Sequence, residues 1–488
     1  MIGRLAAHSR YKPIRLSQKP LIHAVFEVFV LPRRLTTVRP LTMQKTLLFQ
    51  VQAVLCSIGL SILAGCDRET KPPAPTTTIA PPVPVAGPTK LSQFPENADK
   101  IAALEAAGFD LTRNSDGLVT ELSIVSDEPI TDALPNLSGV PNIQIALFSG
   151  PGITDAGMEA LANLGMLKRA DFSNSAIGDP TLEALTDLTN LEVLFLRRTG
   201  VSDDGMKNLK PLTKMRAIDL RNTNVGDTGL KHLASLPKLA DLQVEKANVN
   251  DEGIANVAGL PLKSLNANYC TTISDTAMQS LAQTTTLESL QMDYTKITDA
   301  GMASVANFPN LKRLRIRGTD VTGEGLKNIQ KLDKLARLEL RDSSLDDAGM
   351  AIIAKLPNMN YLDISECRLV TTEGMKLIGQ MPNLEVLTLW ETKLGDEAFN
   401  EFGGLTKLKA LNLKATTLTD ESIDTLMKLQ NLEDLTVAGT QLSDDSFRKL
   451  GTLPKLKKLN VANTSIGFDV IDELAESNKD LEIIEFEN

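Results

Sequence analysis

Leu191-Glu192-Val193-Leu194-Phe195-Leu196-Arg197-Arg198-Thr199-Gly200-Val201-Ser202-Asp203-Asp204-Gly205-Met206-Lys207-Asn208-Leu209-Lys210-Pro211-Leu212 is followed, from Met215 and again from Leu239, by the same alternation of residue types. Further starts fall at Val119, Ile143, Leu167, Leu262, Leu287, Leu311, Leu335, Met359, Leu384, Leu408, Leu432 and Leu456, with a truncated one at Leu481; the commonest spacing is 24 residues. A fixed period of that length marks an array of stacked units. In each unit the LxxLxL core predicts a short strand whose leucines point inward while the residues between them face out. Asp155, Asp179, Asp203, Asp227, Asp251, Asp299, Asp347, Asp396, Asp420 and Asp444 recur just ahead of an apolar i, i+3 pattern such as Met206 and Leu209. That placement predicts N-cap acids opening a short helix. One unit cannot bury its own apolar face, so neighbours must stack with their strands in parallel.

Over roughly residues 119–488 this pattern resembles the leucine-rich repeat family. Eight residues after the starts comes a small polar side chain, at Ser175, Thr199, Thr223, Thr295, Thr319, Ser343, Thr392, Thr416, Thr440 and Thr464, with Cys270 and Cys367 in the same ladder. The spacing is similar to that of the cysteine-containing subclass, with Thr largely replacing Cys and bonding loop backbone groups. The resemblance implies an α/β fold, a right-handed leucine-rich-repeat solenoid with a parallel β-sheet on the concave face of the horseshoe and short helices on the convex face. Residues 96–117 predict a capping helix and an edge strand, Phe468 to Ser477 a last helix, and Leu481 to Phe486 a final strand.

The chain has 488 residues and a formal net charge of −10. Removing the nine basic residues and one acid of residues 1–65 leaves 42 basic residues against 60 acidic ones, a balance of −18. Such a surface repels phosphate backbones, so no nucleic-acid partner is expected. Four cysteines cannot staple a chain of this length. The three histidines are His8, His23 and His232, and no P-loop, GxGxxG, HExxH or GxSxG stands in a usable context. No catalytic residue, metal site or cofactor is therefore expected.

Met43-Gln44-Lys45 followed by a largely apolar run to Leu63-Ala64-Gly65-Cys66 has the three-part form of a secretory signal. Its last four residues resemble the lipobox of bacterial lipoproteins, which implies cleavage before Cys66 and lipidation of its thiol. A transmembrane span fits less well, because Gln50 and Gln52 interrupt a run at the lower limit for crossing about 30 Å of hydrocarbon. Residues 1–42 are expected to be an over-extended start or unstructured, with Arg33-Arg34 a minor twin-arginine alternative. The expected organisation continues with a signal peptide over 43–65, a Pro/Thr-rich spacer over 66–92, and an N-terminal cap over 93–118. About 15 repeats over 119–480 and a terminal strand over 481–488 complete it.

Positions two, four and six after each start face outward on the strands. They place Arg313, Arg315, Arg317, Arg337 and Arg341 on two adjacent strands, Tyr361 on the next and the sole tryptophan, Trp390, one further on. Arg, Tyr and Trp dominate binding hot spots. Five guanidinium groups in so small an area predict a basic patch for an acidic protein segment or an anionic glycan, unless Asp293, Glu339, Asp342 and Asp363 offset them. Phe195, Arg197 and Arg221 form the second place to look. The expectation is a monomeric, non-catalytic protein-protein interaction scaffold, lipid-anchored on the periplasmic or surface side of a bacterial envelope membrane. A structural or glycan-binding envelope component is the alternative. A third resemblance, to F-box substrate-recognition adaptors, is weakened because no F-box segment precedes the repeats.

Overall fold

The computed structural model describes residues 94–486; Cys66, the signal peptide and the proline-rich spacer lie outside the described residues. Asn97 caps the helix Ala98–Ala106 by accepting from Lys100 N, and the strand Asp110–Arg113 then pairs antiparallel with Val119–Val125. From Val119–Val125 onward each unit lays its strand parallel to the one before, through Val193–Phe195, Ala217–Asp219 and Asp241–Gln243 to Glu482–Ile484. The register repeats without slippage along this row, so Leu194 lies beside Ile218 and Ile218 beside Leu242, all three buried. A strand three residues long is stable here because its central side chain is removed from water, a gain of about 1.5–3 kcal/mol for each leucine. The result is an open horseshoe: one sheet on the concave side and, on the convex side, short α-helices such as Asp227–Leu233 mixed with 3-10 turns such as Met158–Asn163.

The recurrent aspartates do not cap their own helices as expected. Asp227 is the first helical residue, with Gly226 at the cap and no side-chain cap on that helix. It reaches the next repeat instead. Asp203 Oδ1 accepts from Gly226 N at 2.6 Å and Gly229 N at 2.9 Å, and Asp227 accepts from Asn250 N at 2.9 Å. Where the following residue carries a hydroxyl, the carboxylate takes that too, as Asp299 does from Thr322 Oγ1 at 2.6 Å. The row breaks where Gly323 stands in the aspartate's place. There Asp346 caps its own helix, accepting from Gly349 N at 2.9 Å.

The hydroxyl ladder behaves as expected: Thr199 donates to Leu196 O at 2.6 Å and Thr319 to Ile316 O at 2.8 Å. The two cysteines turn the other way, toward the preceding repeat, with Cys270 Sγ 3.2 Å from Val244 O and Cys367 Sγ 3.2 Å from Leu340 O. Both thiols are free and buried, and burial pushes each up to about 11. They stay protonated at neutral pH and sealed from reagents. Cys270 and Cys367 are expected to resist alkylation in the native protein and to react fully on unfolding without reductant, as peptide mapping would show. A bridged pair would mean a wrong repeat register.

One feature of the turns was invisible in the pattern. From the Ile143 start to the Leu456 start, the residue seven after each start is left-handed across chemically unrelated side chains, including Arg198, Lys246, Tyr269, Tyr294 and Glu366. Its backbone N–H extends the ladder between repeats, as Arg198 N does to Arg221 O at 2.9 Å and Tyr294 N to Arg317 O at 2.7 Å. Stacking thereby supports a conformation that by itself costs about 1–2 kcal/mol per non-glycine residue.

Candidate binding face on the concave sheet

The strands Arg313–Arg315, Arg337–Glu339 and Tyr361–Asp363 run side by side, with Arg313 beside Arg337 and Arg337 beside Tyr361. Interleaved carboxylates relieve the crowding of like charge expected from sequence. Arg315 Nε lies 2.6 Å from Asp293 and 3.5 Å from Glu339. Arg317 Nε is 2.7 Å from Asp293, whose other oxygen accepts the Arg317 backbone N–H at 3.0 Å. Arg313 and Arg337 share Glu339 at 2.9 and 2.7 Å, and Arg341 Nε donates to Glu366 at 2.7 Å. The Asp293 side chain is fully buried and that of Glu339 is 4% exposed, so these pairs sit where water screens them little. The five arginines share Asp293, Glu339 and Glu366 in an ion-paired network, not a naked basic patch.

The aromatic side chains are built into the same network. Arg337 lies over the Tyr361 ring at 3.6 Å from its centroid, and Arg341 over Trp390 at 4.3 Å with Lys414 Nζ at 5.2 Å. Each ring is thus held by a cation that a carboxylate in turn orients. The indole Nε1 of Trp390 is buried without an acceptor among the described residues. Tyr269 and Tyr294 stack with centroids 4.9 Å apart beside Arg317, and Lys246 covers Tyr269 at 4.9 Å. Reading only positions two, four and six passed over this pair, which occupies position seven.

The second group is split by the structure. Arg221 is clasped by Asp219 on its own strand, through Nε at 2.9 and 3.0 Å and Nη2 at 2.5 Å. Phe195 lies under Arg169, an outward residue the sequence reading did not single out, at 4.9 Å. Arg197 has no carboxylate partner among the described residues, and its Nε is buried without an acceptor. Among the described residues, no group of three His, Cys, Asp or Glu side chains could hold a metal ion, and no helix is long and apolar enough to cross a membrane.

A family model described as a leucine-rich repeat region matches residues 153–401. Among solved structures, the chain is similar to a leucine-rich repeat protein of Leptospira interrogans at 18% identity and a TM-score of 0.51, covering 80% of this chain and 100% of that one. An internalin of Listeria monocytogenes matches at 21% identity and a TM-score of 0.41, over 80% of this chain and 95% of the internalin. The Arabidopsis receptor kinase HAESA, solved with a peptide hormone and a co-receptor, matches at 13% identity and 0.46, over 80% and 81%. No curated protein matches the sequence.

Proposed function

Since the chain belongs to the leucine-rich repeat family, we propose that it is a non-catalytic protein-recognition scaffold, lipid-anchored through Cys66 in a bacterial cell envelope, that captures a protein on its concave face. The observation that carries this reading is the row of Arg337 on Tyr361 and Arg341 on Trp390, with both guanidinium groups tied to acids. Rings and guanidinium planes already held in place lose little side-chain entropy on binding, which is what separates an affinity-bearing surface from an ordinary solvated one. Arg313, Arg315 and Arg317 then serve as the rigid floor of that surface.

Crosslinking and pull-down from native envelopes tests it. Tyr361→Ala and Trp390→Ala together are expected to weaken capture of the crosslinked protein at least tenfold, about 1.4 kcal/mol. Undiminished capture, or retention of a sulfated glycan in place of a protein, would overturn the reading. The anchor is tested separately: Cys66→Ser is expected to leave an uncleaved, unlipidated precursor. Mass spectrometry finding an unmodified Cys66 in the mature wild-type chain would remove the anchor from the proposal.

A further inference from the structure

The concave-face arginines fall into two electrostatic classes. Arg221, Arg313, Arg315, Arg317, Arg337 and Arg341 each hold a carboxylate within 2.9 Å. Arg169 and Arg197, together with the exposed Arg198, hold none among the described residues. Of the acids in these repeats, Glu192 lies 3.4 Å from Arg216, Asp219 is clasped by Arg221, and Asp171 Oδ1 accepts the Ser173 backbone N–H at 2.9 Å. Arg169 and Arg197, on neighbouring repeats, therefore stand without a carboxylate on a molecule whose charge is otherwise strongly acidic.

Their arrangement is that of an open fork. The strands Arg169–Asp171 and Val193–Phe195 are neighbours with Asp171 beside Phe195, and the Arg169 guanidinium lies 4.9 Å over the Phe195 ring. Arg197 follows Phe195 on the same side, about 6.6–7 Å along the chain. The Nε–H of Arg169 and that of Arg197 are sealed from solvent with no acceptor among the described residues; Arg313 Nε is likewise unmet, but the Arg313 guanidinium holds Glu339 through Nη2. An unmet donor on a charged group is a defect in the free protein, and a change of rotamer toward an anion would repair it. The same chain shows the repaired geometry one repeat further on, where Arg221 presents Nε and Nη2 together to the two oxygens of Asp219. In the Arg197 repeat, the residue corresponding to Asp219 is Phe195, so the fork lacks its internal carboxylate and keeps an apolar floor.

We infer that the Arg169–Phe195–Arg197 corner takes an Asp or Glu carboxylate from an acidic segment of the captured protein, in the position that Asp219 fills for Arg221. A planar carboxylate matches the paired donors of a guanidinium edge, and the partly buried ring beneath it lowers the local dielectric and strengthens the pairing. The inference rests on the reading of the concave face as a binding face, but it uses residues remote from Tyr361 and Trp390.

Hexaglutamate, inorganic phosphate and heparin serve as probes, titrated against the folded protein and against Arg169→Gln, Arg197→Gln and Trp390→Ala. Neither glutamine replacement orphans a carboxylate, so thermal unfolding of both is expected to match the wild type. Hexaglutamate is expected to bind the wild type and Trp390→Ala alike, and to bind the Arg169 and Arg197 variants at least tenfold more weakly. Arg197→Lys, which keeps the charge but loses the fork, should recover only part of that loss, and provides a second readout if a glutamine variant misfolds. Equal binding of hexaglutamate to all variants, or binding of heparin or phosphate without hexaglutamate, would overturn the inference. In envelope pull-downs, loss of capture with Arg197→Gln but not with Tyr361→Ala and Trp390→Ala would support this corner and reject the central row. The reverse result would reject the corner alone.

Discussion

Arg315→Glu is expected to destabilise the middle of the solenoid by about 3–5 kcal/mol, the range for breaking a buried ion pair and leaving a charge unmatched. Arg315 Nε bridges Asp293 and Glu339, whose side chains are 0% and 4% exposed, while its own is 19% exposed. The substitution removes the cation between two buried acids and adds a third negative charge. From sequence, these arginines were expected to form a basic patch unless nearby acids offset them. In the structure each stands against a carboxylate, and repulsion appears when the cation is taken away. Urea denaturation followed by circular dichroism should show the loss. Hydrogen exchange should place it in Ser289–Gln291, Arg313–Arg315 and Arg337–Glu339, since each repeat of a solenoid leans chiefly on its neighbours. Arg216→Glu provides the control. Its partner Glu192 is 35% exposed and Arg216 itself 65%, so the change should stay within about 0.5 kcal/mol. An unfolding midpoint equal to wild type for Arg315→Glu would show that the network adds nothing to stability.

Asp203→Ala is expected to destabilise by about 1.5–3 kcal/mol, because hydrogen bonds to a charged acceptor fall in that range and two buried backbone N–H groups would lose theirs. Those groups belong to Gly226 and Gly229, at 2.6 and 2.9 Å from Asp203 Oδ1. Asp203→Asn keeps an oxygen in the same place and should lose less than half as much. The reciprocal change is as informative. A Cβ on Gly229 would stand 2.6 Å from Asp203 Oδ1 and 2.7 Å from Val225 Cγ1, so Gly229→Ala must push the carboxylate off the N–H it serves. The pair Asp203→Ala and Gly229→Ala should then be less than additive, since the first removes the atom that the second collides with. Strict additivity in a double-mutant cycle would show that the carboxylate does not carry the link between the two repeats.

Much of this architecture could be read directly because it depends on residues close in sequence. Leu191, Leu194 and Leu196 determine which face of one strand is buried, and repetition of that choice determines that the strands stack in parallel. The expected order of helix and strand at both ends follows from the same local signals. Cys270 and Cys367 could be placed in the hydroxyl ladder by counting alone. The role of the aspartates could not, because a carboxylate at the start of a helix has two sets of N–H groups to choose between, and only the stacked geometry brings Gly226 and Gly229 within hydrogen-bonding distance of Asp203.

The functional face divides along the same line. The sequence by itself determined that Arg313, Arg315, Arg317, Arg337, Arg341, Tyr361 and Trp390 share one outward face, since alternation along a strand and a constant repeat admit no other placement. Only the tertiary structure decided which of those charges are already met. Asp293 precedes Arg315 by one repeat, so their pairing needs strands brought side by side and long side chains that reach across them; neither composition nor spacing specifies those rotamers. Arg197 and Arg221 occupy equivalent positions in adjacent repeats, yet one is clasped and the other unmatched, because Asp219 in the second unit is Phe195 in the first. Burial is what turns that single difference into an electrostatic one. In water an unpaired guanidinium is solvated at little cost, whereas beside an aromatic ring on a packed sheet its unmet donor persists until an acceptor arrives.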